Sequence, residues 1–126
     1  MNCVEARAPD RWELYRLLGD RTRVRLLALC ATEELAVSEL AELLREGQPK
    51  VSRHAATLRD AGLLLGRKQG TWVLLRTAPE VANDTVVADA LKAGELSCNS
   101  DGTLQRVSDV LAARDAATRE FFARGG

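Results

Sequence analysis

Apolar residues recur at helical spacing through most of the chain and cluster in β-rich runs in one short stretch. Leu14, Leu17 and Leu18 predict a first helix from Asp10 to Leu18. Asp10 followed three residues later by Glu13 is a capping-box pattern for its start. Gly19 ends it, and Asp20 caps a second helix from about Arg21 to Ala31. There Val24, Leu26, Leu27, Leu29 and Cys30 are apolar on more than one face, which predicts a central position. After a connector, Leu40, Leu43 and Leu44 predict a third helix over Val37 to Arg45. Gly47 marks a turn, and Pro49 fits the first turn of a fourth helix from about Gln48 to Ala61. Val51, Ala55 and Leu58, at i, i+4 and i+7, face the core. Pro49, Arg53, Ala56 and Thr57 point away, flanked by Lys50 and Ser52.

Gly62 closes that helix. Leu63 to Leu65 and Thr71 to Leu75 then predict two strands around Gly66-Arg-Lys-Gln-Gly70, a hairpin with a basic tip and with Trp72 and Val73 at its base. Pro79 opens a fifth helix to about Leu96, with Val81, Val86, Val87, Ala90 and Leu91 apolar. Ser97 to Gly102 is a polar break that would leave Cys98 accessible. A last helix from about Thr103 buries Leu104, Val107, Val110, Leu111, Phe121 and Phe122. The expected organisation is a flexible arm over 1–9, a main folded unit over 10–96, and a polar break with a C-terminal helix over 97–126. The fold class is mainly α with a small β-hairpin.

Composition narrows the chemistry. A length of 126 residues suits one domain, and 46% hydrophobic residues supply a core. At 4% aromatic residues there is no stacking platform for single-stranded nucleic acid. The formal net charge is zero, but its distribution is uneven. Between Gln48 and Gly70, Lys50, Arg53, Arg59, Arg67 and Lys68 face the single acid Asp60, whereas acids outnumber bases after Pro79. One basic face on a neutral molecule suits contact with phosphate. No apolar run approaches 18 residues and no signal peptide is visible, so a cytoplasmic location is expected. Three cysteines without CxxC spacing are no secreted disulfide framework.

The fourth helix is the candidate reader of double-stranded DNA. A groove-binding helix must be apolar inside and carry donors outside. Lys50, Ser52, Arg53 and Thr57 supply donors, and Gln48 lies at the helix start, where N–H groups favour phosphate. Arg and Gln can bind guanine and adenine bidentately. Arg67 and Lys68 on the hairpin would reach the backbone beside the helix. The alternatives are a merely solvated charged face, or an interaction module of the same fold that does not bind DNA. An enzyme is not expected: Cys98 as nucleophile lacks a base, since His54 is the only histidine. No catalytic residue, metal site or cofactor is assigned.

From about Leu14 to Arg76 the chain resembles the ArsR/SmtB winged-helix repressors. The resemblance is carried by Leu17-Leu-Gly-Asp-Arg-Thr-Arg-Val-Arg-Leu-Leu27, Val37-Ser-Glu-Leu-Ala41, Gln48-Pro-Lys-Val-Ser-Arg-His54, Leu58-Arg-Asp-Ala-Gly-Leu63 and Arg67-Lys-Gln-Gly-Thr-Trp72. It implies a winged helix-turn-helix homodimer pairing through the first and fifth helices, with the C-terminal helix as a further contact. It also implies repression by operator binding and release by an inducer. His54 is counted with the DNA-binding candidates, but it flanks the buried side of the fourth helix, where a packed or hydrogen-bonded ring is expected rather than a metal ligand. The C-terminal helix resembles the segment that joins such domains to a methyltransferase in fused relatives. Metal-sensing members carry Cys-Val-Cys where this chain has Ala36-Val37-Ser38, so that thiolate site is missing. Cys30 and Cys98 resemble the pair in members that sense persulfide or oxidants, which makes them the candidate sensor. A thiol bridge requires Cα atoms about 4.4–6.8 Å apart. Alternatives left open are As(III) or another thiophile held by Cys3 and Cys98, a small organic effector, or no inducer.

Overall fold

The computed structural model describes residues 9–125. The first four helices form where the periodicity puts them. Helix α1 spans Arg11–Leu18, and the Asp10 carboxylate accepts the Glu13 N–H at 2.9 Å at its start. Helix α2 spans Arg21–Thr32 and is capped in the same way by Asp20, which accepts from the Arg23 N–H at 3.0 Å. Residues Leu26 to Cys30 of α2 are all buried, so the helix is enclosed on every side over that stretch. Helix α3 spans Val37–Leu44 and helix α4 Gln48–Asp60, with Pro49 in the first turn of α4. Val51, Ala55 and Leu58 are buried as their spacing requires.

The hairpin is longer and tighter than the sequence suggests. Strand β1 runs Leu64–Gln69 and β2 Trp72–Thr77, antiparallel, with Gly70 at φ 64° making the turn. Arg67 and Lys68 therefore lie within β1, opposite Leu74 and Val73, and not in an open loop. Trp72 pairs with Gln69 next to the turn, so Trp72 and Val73 sit at the far end of the hairpin instead of its base. Once Gly70 supplies the positive φ, the flanking residues can all join the ladder. The root of the hairpin is fastened by Leu35, which exchanges two backbone hydrogen bonds with Leu75 at 3.0 and 2.8 Å.

After the hairpin the expected boundaries shift. Pro79 does not open a helix; a single 3-10 turn, Val81–Asn83, comes first. Asp84 then takes extended backbone, and its carboxylate caps helix α5, Thr85–Ser100, by accepting the Val86 and Val87 N–H groups. The expected polar break at Ser97 is helical, because those residues have partners on α2: Arg21 donates to the Ser97 hydroxyl at 3.3 Å, and Cys98 is fully buried. A 3-10 turn over Leu104–Arg106 leads into helix α6, Val107–Ala123. Val107 and Val110 join the core, but Phe121 and Phe122, expected inside, are 56% and 70% exposed.

Val87, Ala90, Gly94 and Cys98 are the buried face of α5, and they lie against α2 running in the opposite direction. The start of the Pro79–Ala82 segment lies by Cys30 and Thr32, whereas Gly94 and Ser97 lie by Arg21, Val24 and Arg25. A Cβ at Gly94 would stand 2.5 Å from the Val24 carbonyl oxygen and 2.8 Å from the Ala28 Cβ. Gly94→Ala is thus expected to destabilise the fold by about 1–3 kcal/mol through overpacking. The roughly 1 kcal/mol by which alanine favours a helix reduces this loss without reversing it. Denaturant unfolding of the variant measures the balance, and a gain in stability would contradict the close approach.

Asp101 ties the end of α5 to α2. Its carboxyl is held down to about 2 by the Thr103 hydroxyl and N–H (the latter at 3.1 Å), and then by Arg25 Nη2 at 2.6 Å. An aspartate in an unfolded chain titrates near 3.9. Its contribution is therefore complete above about pH 4 and is lost as pH falls toward 2. Wild type should be more stable than Asp101→Asn at neutral pH, with the gap closing between about pH 4 and 2 in thermal melts.

Candidate nucleic-acid interface

Helix α4 meets its two requirements on opposite sides. Val51, Ala55 and Leu58 seat it on the core, and Gln48, Pro49, Lys50, Ser52, Arg53 and Ala56 are exposed. Thr57 is half-buried at the edge of that face. Gly47 leads into the helix in extended backbone, so α3 and α4 form the two arms of a helix-turn-helix. A groove separates α4 from the hairpin, lined by Gln48, Ser52 and Arg59 on one side and Thr71 and Val73 on the other. Arg59, not singled out from the sequence, crosses above Gly66: a Cβ there would meet its guanidinium at 2.8 Å. The signal for Arg59 was available in the basic balance of this stretch, but its direction depends on how β1 passes the end of α4.

The expected donors divide by their partners. Among the described residues, Arg53 and Lys68 make no ion pair, and both are exposed. Lys50 Nζ holds Glu46 at 2.9 Å, which keeps the Glu46 carboxyl below its ordinary range. Arg67 is held on Glu34 by Nε at 2.8 Å and by Nη2, which likewise lowers the Glu34 carboxyl. Both pairs are open to solvent, where ion pairs are weak and easily exchanged for phosphate.

His54 lies on the inner flank of α4, as its place beside the buried side suggests, and away from the outer face of the other DNA-binding candidates. Its ring is half-buried, with Nδ1 3.3 Å from Arg23 Nη1 and Nε2 4.0 Å from Asp20. Arg23 Nε also donates to the Leu17 carbonyl at 2.7 Å, and Nη2 to that of Arg16 at 3.2 Å. His54 thus fixes the inner flank of α4 to α1 and α2, and its side chain does not reach the outer face. A sequence shows a histidine in a basic helix, but not that an arginine 31 residues earlier occupies it.

The two cysteines among the described residues are not brought together. Cys30 lies in the last turns of α2, near Ala82; Cys98 faces the first half of α2, beside Arg25. Arg25 and Cys30 are five residues apart, about 7.5 Å along the axis at 1.5 Å per residue. Side chains tilt toward the helix N-terminus, which carries the Arg25 head group farther from Cys30. Both are free thiols, set toward opposite ends of the α2–α5 seam. Cys98, expected to be accessible, is fully enclosed because α5 continues through it. Burial pushes both thiols up, strongly for Cys30; for Cys98 the neighbouring Arg25 guanidinium acts in the opposite direction. Cys3 lies outside the described residues. No three of His, Cys, Asp and Glu cluster as a metal site among the described residues, and none of the helices there is long and apolar enough to cross a membrane.

Comparison with known proteins agrees with this geometry. Residues 20–64 match the family model described as "Bacterial regulatory protein, arsR family". The arsenic resistance transcriptional regulator ArsR1 of Pseudomonas putida is 43% identical over 89 residues, 70% of this chain and 67% of that protein. The arsenical resistance operon repressor of Escherichia coli is 47% identical over 70 residues, 55% of this chain and 60% of that protein. The chain therefore spans about two thirds or less of these relatives' lengths. Among solved structures, the homodimeric winged helix-turn-helix domain of Mb0332 from Mycobacterium bovis shares the fold. It has a TM-score of 0.52 at 23% identity, covering 75% of this chain and 91% of that one.

The buried thiols give a direct test. In native protein near neutral pH, iodoacetamide should modify Cys30 and Cys98 at least about tenfold more slowly than in denaturant, because the reactive species is the thiolate. Peptide mass spectrometry distinguishes them from Cys3. Rapid native labelling of Cys98 would contradict its enclosure in α5.

Proposed function

This chain belongs to the ArsR family of bacterial DNA-binding transcriptional repressors, and we propose that it reads an inverted-repeat operator as a homodimer. The observation that carries this is the exposed, unpaired Arg53 at the centre of the outer face of α4, flanked by Gln48, Lys50 and Ser52 and backed by a buried inner face. Arg53 is assigned to base edges in the major groove, and Gln48, Lys50 and Ser52 to bases and phosphates near it. Lys68, together with Arg67 once it leaves Glu34, is assigned to the backbone beside the hairpin. Thr57 is a peripheral donor.

The dimer is assigned to α1 and α5. Trp12 on α1 is 83% exposed, Tyr15 one turn on is 56%, and Leu96 on α5 is 69%. Large exposed apolar side chains on two helices that touch suit a self-complementary contact. Two-fold symmetry would then set two α4 helices against half-sites about one DNA turn apart.

Release by an inducer completes the reading, and thiol chemistry is its proposed form. The seam between α2 and α5 has no room for an adduct on Cys98, so modification by an oxidant, persulfide or thiophile would part α5 from α2. A Cys30–Cys98 bond would instead require the two helices to shift along one another, since the thiols lie toward opposite ends of the seam. As(III) held by Cys98 with Cys3 is the second form, supported by the arsenic-resistance roles named for the two relatives. Mass spectrometry after polysulfide, peroxide or arsenite, paired with DNA affinity, separates these. Affinity unmoved by all three reagents would leave thiol release without support.

For the DNA contact, fluorescence anisotropy with a duplex selected from randomised DNA by the wild-type protein is decisive. Arg53→Ala should cost about 1–3 kcal/mol for each base it reads and relax the sequence preference. Lys68→Ala should weaken selected and random duplexes alike and reduce the log–log salt slope by about 0.9 for each phosphate that Lys68 neutralises. An Arg53→Ala protein with unchanged affinity and preference would favour a winged-helix interaction module that does not read DNA.

A further inference from the structure

The segment that joins α2 to α3 is gripped from two directions. From the hairpin, Leu35 pairs with Leu75 and the Glu34 carboxylate accepts from Arg67. From α6, Arg114 Nε donates to Glu39 Oε2 at 2.9 Å, and Nη2 donates to Glu39 Oε1 at 2.7 Å and to the Glu34 carbonyl at 2.9 Å. The same guanidinium lies over the ring of Trp72, 5.8 Å from its centroid, within cation–π range. Glu39 Oε1 in turn accepts the Ala36 N–H at 2.9 Å, occupying a free donor at the start of α3, where Ala36 offers no capping side chain. The Arg114 and Glu39 side chains are 14% and 7% exposed, so this is an enclosed, two-pronged ion pair in which Nε and Nη2 of the arginine and both carboxylate oxygens are engaged.

We propose that Arg114 is a positioning residue for DNA binding, which fixes the angle of the β-hairpin relative to α3 and α4 and thereby makes α6 part of the DNA-binding apparatus. One planar group touches α3, the connector before it and β2 at once. The root of the hairpin is fastened independently of Arg114, by the Leu35–Leu75 bridge, by the Thr77 hydroxyl donating to the Leu27 carbonyl at 2.7 Å, by the buried Leu64, Leu74 and Leu75 and by Arg59 across Gly66, and beyond it lies the solvent-exposed Glu34–Arg67 pair. Without the contact at Trp72, its outer end, which carries Lys68, is free to swing about that root. Lysine cannot replace the arginine, because a point charge lacks both the fork for Glu39 and the flat face for Trp72.

The inference rests on the reading that α4 and the hairpin contact DNA, and the test separates the two. Operator affinity is measured for Arg114→Lys, Lys68→Ala, Arg53→Ala and the doubles of Arg114→Lys with each. The probe is the duplex selected from randomised DNA by the wild-type protein. Arg114→Lys is expected to weaken binding about tenfold, and Lys68→Ala to cost at least about threefold less in the Arg114→Lys background than in wild type. The Arg53→Ala loss is expected to be the same in both backgrounds. In a Trp12→Phe background, where Trp72 is the one tryptophan left, Arg114→Lys should also change the emission of Trp72. Additive losses for Arg114→Lys with Lys68→Ala overturn the proposal, as does equal coupling to both partners, which marks a general loss of fold. A Lys68→Ala protein with wild-type affinity overturns it too. Should Arg114→Lys not fold, Glu39→Gln is read by the same criteria. An Arg53→Ala protein with unchanged affinity sinks the DNA-binding reading itself; weakened Arg53→Ala with additive Arg114 and Lys68 losses sinks the positioning role alone.

Discussion

Helix α5 approaches α2 so closely at Gly94 that no side chain fits between it and the Val24 carbonyl. The rest of the molecule is arranged around that contact. It lets α2 stay apolar on every side through Leu26 to Cys30, since α5 covers the face that α3, α4 and the hairpin leave open. Tight packing in a protein interior transmits displacement, because there is little free volume to absorb it. Helix α4 is tied to the same α2 through the His54–Arg23 contact, so α2 is the element on which both α5 and α4 rest.

The polar interactions form a second layer over that core. Arg23 joins α1, α2 and α4; Arg25 and Asp101 join α2 to the end of α5; Arg114 and Glu39 join α6 to α3. None of these side chains lies on the outer face of α4. The chain thus separates the cations that lock its elements together from those left free for a ligand, such as Arg53 and Lys68. A count of basic residues does not show that separation, although it governs which of them can meet phosphate.

Much of this was legible in the sequence. The capping aspartates Asp10 and Asp20, Pro49 in a first turn, and the buried triad Val51, Ala55 and Leu58 are local signals, and each stands where its spacing places it. The family resemblance agrees with the matched model over residues 20–64. The candidate site was legible in part. Gln48, Lys50, Ser52 and Arg53 share the outer face as their spacing required, but His54 turns inward and Arg67 is held by Glu34. The two cysteines share a helix pair yet not a position, because antiparallel packing sends Cys30 and Cys98 toward opposite ends.

By itself, then, the sequence determined the order and type of the elements, the inner and outer faces of α4 and the family. Those depend on residues within a turn or two of one another. The tertiary structure alone decided where α5 ends, whether Cys98 is enclosed, and which charges are already spoken for. Arg67 and Glu34 are 33 residues apart, and Arg114 and Glu39 are 75 apart. No periodicity connects such positions, and they meet only because the α2–α5 seam and the Leu35–Leu75 bridge bring their elements together.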